Sequence, residues 1–363
     1  MEPLKFHQSC IVVDGHTDVP SRLFESPADL RDVRTDRHID LPRLRAGGVD
    51  GFFAALYVPA EFEPDEGLEH ALELHRLIMQ QLRPGEMMPA RTAEDVRAAH
   101  ERGEISVLLG LENGRPLSID GALESFADLG VRYVTLTHFK SHEWCDASTD
   151  EPVHGGLSER GRDIVRKMND LGVLVDASHI SDDAIRDALT VSSAPIIASH
   201  SSARALCNHP RNLPDDLIAA IAESGGVIMA NAFPAFLDGA AAREFGTRME
   251  TQSEELEALM TDYRREPGRV SARIMELWGK DSLPRVPLAR YADHIEHLVE
   301  IAGPDHVGIG TDFDGVPVTP IGFEGAADFP ELTATLLARG MSENVVRGIL
   351  GENILRVLEA ATP

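Results

Sequence analysis

The chain has 363 residues, 43% of them hydrophobic, which is enough for a sizeable core. Its 34 lysines and arginines against 60 aspartates and glutamates leave a formal charge of −26, which argues against nucleic acid or an anionic membrane as partner, because both need a basic face. Three cysteines (Cys10, Cys145, Cys207) make no disulfide framework, and neither Met1–Ser9 nor Leu355–Pro363 reads as an apolar leader, span or lipid-anchor signal, so the expected location is cytoplasmic.

Eight short apolar runs follow one another: Cys10–Asp14, Gly51–Val58, Ile105–Leu111, Arg132–Thr137, Gly172–Asp176, Pro195–Ala198, Gly226–Ala230 and His306–Gly310. Near-continuous runs of this length read as strands buried on both faces, as in a parallel sheet. Helical patterns fall between them. Ser158 can cap a helix carrying Ile164, Val165, Met168 and Leu171, with Gly172 as its stop. Ser181 can cap another carrying Ile185 and Leu189, and Pro214 suits the first turn of a third. A last helix is predicted from about Ser342 to Leu358. Strand–helix alternation repeated eight times predicts an α/β fold, the (β/α)8 TIM barrel. A doubly wound sheet is the alternative, but no G-x-G-x-x-G follows a strand. Length alone suggests about two domains, yet such barrels fold as one, so residues 1–363 are read as a single domain. Two stretches exceed ordinary connections: Ser141–Gly156, and an insertion at about 234–302 suited to a lid or a homodimer contact. His294 and His297, at helical spacing within it, are expected on the surface.

Ligand-type residues gather just after the strands, the catalytic face of such a barrel. The first run leads into Asp14-Gly15-His16-Thr17-Asp18, where His16 and Asp18 alternate and point the same way in an extended chain. The third ends at Glu112, whose two oxygens can bridge two cations. The fourth, fifth and sixth lead to His138, His179 and His200, and three histidines at consecutive strand ends are hard to explain as core packing. The eighth leads to Asp312 and Asp314, the latter also compatible with plain turn chemistry. Histidine with carboxylate and no cysteine is a zinc-type or manganese-type donor set. Clustered carboxylates in a concave site also call for a compensating cation.

These motifs resemble those of the membrane dipeptidase (renal dipeptidase) family of zinc peptidases, including its soluble bacterial members. The resemblance runs over nearly the whole chain: D-G-H-T-D at 14–18, T-L-T-H at 135–138, G-L-S-E-R-G at 156–161, G-V-L-V-D-A-S-H at 172–179, A-P-I-I-A-S-H-S-S-A at 194–203, R-N-L-P-D-D at 211–216 and G-T-D-F-D-G-V-P at 310–317. It implies a dipeptide as substrate and two zinc ions per chain, other divalent metals being compatible. His16 and Asp18 would hold one ion, His179 and His200 the second, and Glu112 would bridge them. Asp312 would be the acid/base residue, His138 would contact the reacting carbonyl, and Arg211 would grip the substrate carboxylate. One departure is Glu112-Asn113-Gly114, where many relatives have glycine after the glutamate.

The expected reaction is hydrolysis of L-Xaa-L-Xaa and L-Xaa-D-Xaa dipeptides by a hydroxide shared between two cations. The nearest rival is another binuclear hydrolase on the same barrel, acting on cyclic amides or lactams. Such enzymes commonly open with H-x-H, whereas this chain has H-x-D and a glutamate for the bridge. A non-catalytic binding protein would be favoured by loss of a ligand or of Asp312, and all are present.

Overall fold

The structure, a computed structural model, describes residues 2–262, 278 and 283–361. Its strands are β1 (Val13–Thr17), β2 (Gly51–Tyr57), β3 (Met87–Pro89), β4 (Ile105–Glu112), β5 (Val131–Thr135), β6 (Leu174–Asp176), β7 (Ile196–Ala198), β8 (Val227–Ala230) and β9 (Val307–Ile309). All pair in parallel in the order β1-β2-β4-β5-β6-β7-β8-β9, with β3 attached to the start of β4. A parallel bridge from Thr17 to Phe313, beyond β9, closes the ring. Asp18 N–H donates to Phe313 O at 2.9 Å and Asp312 N–H to His16 O at 3.1 Å. The protein is thus an eight-stranded (β/α)8 barrel with one extra short strand.

Two apolar layers hold it. Phe53, Leu108, Tyr133, Leu174, Ile197, Val227 and Met229 fill the barrel interior. A larger layer lies between the strands and the surrounding helices, including Leu56, Val107, Val134, Ile196 and Ile228. Alternate residues of one strand serve opposite layers, as the two-residue period requires. β1 begins later than its apolar run and extends through Thr17, so His16 lies within the strand.

The predicted caps form. Ser158 accepts from Gly161 N–H at the start of Glu159–Asp170, and Ser181 from Ala184 N–H at the start of Asp182–Val191. Pro214 stands one residue before Asp215–Glu223. The final helical stretch passes through a wide turn at Gly348–Glu352 before Asn353–Ala361.

Within the expected insertion, helices occupy Pro234–Leu237, Gly239–Thr251 and Ser253–Asp262. Residues 263–277 and 279–282 of that stretch lie outside the described residues. Phe233, Phe236, Leu256, Trp278 and Leu283 form a small apolar cluster with Val316 and Val318 of the segment after β9. Leu288–Ala302 is the helix leading back to β9, and its buried face includes Tyr291, His294 and Leu298. The expectation that His294 is exposed is therefore corrected. Its Nδ1 accepts from Ala203 N–H at 3.2 Å and its Nε2 donates to Leu237 O at 2.9 Å. No helix among the described residues is long and apolar enough to cross a membrane.

Candidate active site

The strand ends bring His16, Asp18, Glu112, His138, His179, His200 and Asp312 into one cluster, buried except for the half-buried Asp312. Glu112 is its centre. Its Oε1 lies 3.2 Å from His179 Nε2, 3.5 Å from His200 Nε2 and 3.7 Å from His138 Nε2. Its Oε2 lies 3.5 Å from His16 Nε2, which in turn is 3.7 Å from Asp18 Oδ2. His16, Asp18 and Asp312 form a further group with ligand atoms close enough to share a cation.

Partners behind the ligands fix which nitrogen faces inward. Thr135 and Ser199 hydroxyls both donate to Asp176 Oδ2 at 2.6 Å. Ser199 Oγ is 2.7 Å from His200 Nδ1, and since its hydrogen goes to Asp176, it must accept from Nδ1–H. His200 therefore presents a bare Nε2 lone pair, 2.9 Å from His179 Nε2. On the other side, His16 Nδ1 is 2.8 Å from the Tyr133 hydroxyl, which reaches on to Gly15 O. Such partners orient a metal ligand and raise its basicity. Tyr133 reaches His16 because its strand neighbour is Gly110, where a Cβ would stand 2.2 Å from the ring.

The backbone at the mouth is unusual. The non-glycine residues with positive φ are Asn113 (75°), His179 (69°), Asp312 (62°) and Asp314 (69°), among the described residues. Strain of this kind is of order 1–3 kcal/mol per residue and persists where its surroundings over-determine it. Ser148 N–H holds the His179 carbonyl at 2.7 Å, which ties the Ser141–Gly156 stretch to the site. The departure at Asn113 has a physical reading: the position needs left-handed backbone, which asparagine tolerates better than most residues. Its amide donates to Val58 O at 2.9 Å.

On the protein's own groups alone, burial pushes Asp312 up to about 7 and raises Asp18. Burial also lowers His138 to about 3 and holds His179 and His200 well below the usual histidine range. Those three imidazoles are thus held neutral, whereas His16, its burial outweighed by Tyr133, Glu112 and Asp18 beside it, is raised well above the usual histidine range. Asn231 Nδ2 donates to Asp312 Oδ2 at 3.0 Å. Gly315 leaves room for the Asp18 and Asp312 oxygens, since a Cβ there would meet them at 2.2 and 2.5 Å.

Arg211 lies beside the cluster, 3% exposed. Its Nη2 donates to His200 O at 3.3 Å, its Nε has no partner, and its guanidinium stands 5.4 Å from the Phe236 ring centroid. Among the described residues no carboxylate is ion-paired with it. Asp314, the second aspartate of the 310–317 motif, turns away and accepts from His38 N–H at 2.7 Å.

Sequence reasoning did not single out Tyr57, Tyr133 or Asn231. Tyr57 closes β2 and Asn231 directly follows β8, so position at a strand end was the available signal for both. Tyr133 looks like any core aromatic.

Comparison with known proteins agrees with this geometry. The model of the membrane dipeptidase family (peptidase family M19) matches residues 3–362. Dipeptidase verJ of Clonostachys rogersoniana is 32% identical over 98% of this chain and 86% of its own length. Dipeptidase aclJ of Aspergillus oryzae is 33% identical over 96% and 77%. Among solved structures, the probable dipeptidase PvdM from Pseudomonas aeruginosa has a TM-score of 0.84 at 25% identity, covering 99% of this chain and 97% of that one. A metallo peptidase from Rhodobacter sphaeroides, liganded with a phosphinate mimic of L-Ala-D-Ala, has a TM-score of 0.79 at 27% identity, covering 97% and 99%. With the family's model spanning the chain and its motifs converging at one barrel mouth, this protein belongs to the membrane dipeptidase family, peptidase family M19, and is a metallo-dipeptidase.

Proposed function

We propose that the protein is a zinc dipeptidase that holds two ions and hydrolyses dipeptides ending in either an L- or a D-residue. The observation that carries the reading is the convergence of four histidine Nε2 atoms on Glu112, at 3.2 to 3.7 Å, with Asp18 and Asp312 alongside. The donor set fits divalent metal. His200 Nε2 carries a lone pair and stands 2.9 Å from His179 Nε2 and 3.5 Å from Glu112 Oε1, and His16 Nε2 is buried with no hydrogen-bond partner. His16 and Asp18 would hold one ion, His179 and His200 the other, and Glu112 both. When bound, such ions lower the pKa of a coordinated water toward neutrality and polarise the scissile carbonyl.

The chain's own groups supply the rest. Asp312 accepts the water's proton and returns it to the leaving amine. Asn231 occupies Oδ2 of that carboxylate and leaves Oδ1 for the transfer. His138, neutral, donates a hydrogen bond to the oxygen that gains charge in the tetrahedral intermediate; such donors are worth about 3–4 kcal/mol where measured. Arg211, a buried cation with no ion-paired carboxylate among the described residues, takes the dipeptide's free carboxylate through two parallel hydrogen bonds. Acceptance of a D-residue at the C-terminal position is supported by the ligand of the Rhodobacter relative.

The test is hydrolysis of an L-Xaa-L-Xaa and L-Xaa-D-Xaa library by zinc-loaded protein, with metal counted in the same sample. About two metals per chain and release of free amino acids are expected. Metal without cleavage of any dipeptide would refute the substrate assignment, and absence of metal would refute the ligand set.

A further inference from the structure

Most of the mouth is charged or imidazole, but two aromatic rings bracket His138. Phe139 packs its ring centroid 4.0 Å from His138 and 5.2 Å from His179. Tyr57 meets His138 edge-on at 4.8 Å. Phe139 is 46% exposed, and of the large exposed hydrophobics among the described residues it is the one whose ring rests on the site's histidines. Its backbone is held in place, since its carbonyl accepts from Thr149 Oγ1 at 3.0 Å and Thr137 Oγ1 donates to the next carbonyl, that of Lys140. A fixed, half-exposed aromatic beside a reaction centre presents apolar area that gains by being covered.

The barrel order says which part of a dipeptide covers it. β2 and β7 lie opposite each other, with three strands between them on either side of the ring. Arg211 is anchored to the His200 carbonyl after β7, and Tyr57 ends β2. A dipeptide whose carboxylate meets Arg211 and whose scissile carbonyl meets His138 runs from the β7 side toward the β2 side. That carbonyl belongs to the N-terminal residue, whose side chain branches one carbon away and falls beside the two rings.

We propose that Phe139 and Tyr57 form a recognition site for an apolar side chain on the N-terminal residue, making apolar-Xaa dipeptides the preferred substrate class. The inference rests on the dipeptidase reading and on the orientation that Arg211 imposes.

The test compares kcat/KM for Leu-Gly, Gly-Leu and Gly-Gly in the wild type, Phe139→Ala and Phe139→Leu. An apolar pocket discriminates by roughly 10–200-fold, so wild type should favour Leu-Gly over Gly-Gly on that order. In Phe139→Ala this ratio should fall about tenfold, mainly through KM, and Phe139→Leu should restore most of it. A wild-type ratio near one, or a ratio unmoved in Phe139→Ala, would overturn the proposal while leaving the dipeptidase reading intact. A loss confined to Gly-Leu would overturn it by placing Phe139 at the C-terminal residue. Cleavage of none of the three would overturn the dipeptidase reading, and this proposal with it.

Discussion

Arg211→Met should separate stability from substrate binding. Burial holds the Arg211 guanidinium down at about 10, from an ordinary 12.5. The sign follows from the direction: a cation whose folded pKa lies below its unfolded pKa opposes folding at every pH below both, so the penalty is fully present at pH 7. At 1.36 kcal/mol per unit it is about 3 kcal/mol. Set against it are one long hydrogen bond to His200 O at 3.3 Å and contact with the Phe236 face. Methionine keeps most of the apolar contact and removes the charge, so the variant should gain about 1–2 kcal/mol, or a few degrees in Tm. For catalysis, two charge-assisted hydrogen bonds to the substrate carboxylate, at about 1.5–3 kcal/mol each, would be lost. KM for dipeptides should then rise by on the order of 100-fold or more. Scanning calorimetry and steady-state kinetics on one preparation decide the matter. A lower Tm with unchanged KM would refute the reasoning and make Arg211 a structural residue.

Three further perturbations test other parts of the molecule. Tyr133→Phe removes the hydroxyl 2.8 Å from His16 Nδ1 and should weaken metal affinity about 10–100-fold in competition with a chelator; unchanged affinity would show that the hydroxyl does not tune the ligand. Gly315→Ala forces a Cβ onto Asp18 and Asp312 and should lower kcat by about 100-fold, whereas full activity would mean the two carboxylates can move aside. Burial holds His70, His142 and His294 at about 4. The unfolded chain therefore binds protons that the folded one does not between pH 6.5 and about 4, and stability must fall as pH drops through that window. The loss is about 2 kcal/mol per residue at pH 5. Urea midpoints at pH 7.5 and 5 should show it, and His70→Leu should shrink the difference, while a difference unchanged by His70→Leu would contradict the assignment.

The barrel was legible because its strands are apolar on both faces and so stand out as runs. β3 escapes for the opposite reason: it has three residues and ends at Pro89, which cannot continue a ladder. The clustered site residues were visible because they follow those runs, and the motif resemblance added Arg211, which lies in a loop. What was not legible depends on register across the ring. Nothing local distinguishes Tyr133 from a core aromatic; its role beside His16 appears once Gly110 is seen opposite it. Asn231 follows a plain strand with no motif around it, yet it fixes one oxygen of Asp312. The helical spacing that suggested a surface for His294 serves a core-facing stripe equally well, and packing of Leu288–Ala302 against the barrel chose the inner face.

The closure of the ring bears on how the protein is made. Asp14, at the start of the first motif, accepts from Thr311, 297 positions later, and the neighbouring bonds join His16 to Asp312 and Asp18 to Phe313. Contacts this far apart form late, because a long loop must be closed before they stabilise anything. A ribosome adding about 5–20 residues per second would hold the first motif without its partner for some 15–60 seconds. A chain stopped before β9 has no way to seat Asp18 against Asp312. In the proposed mechanism, hydrolysis therefore has to wait until Asp312 has been made and the ring has closed.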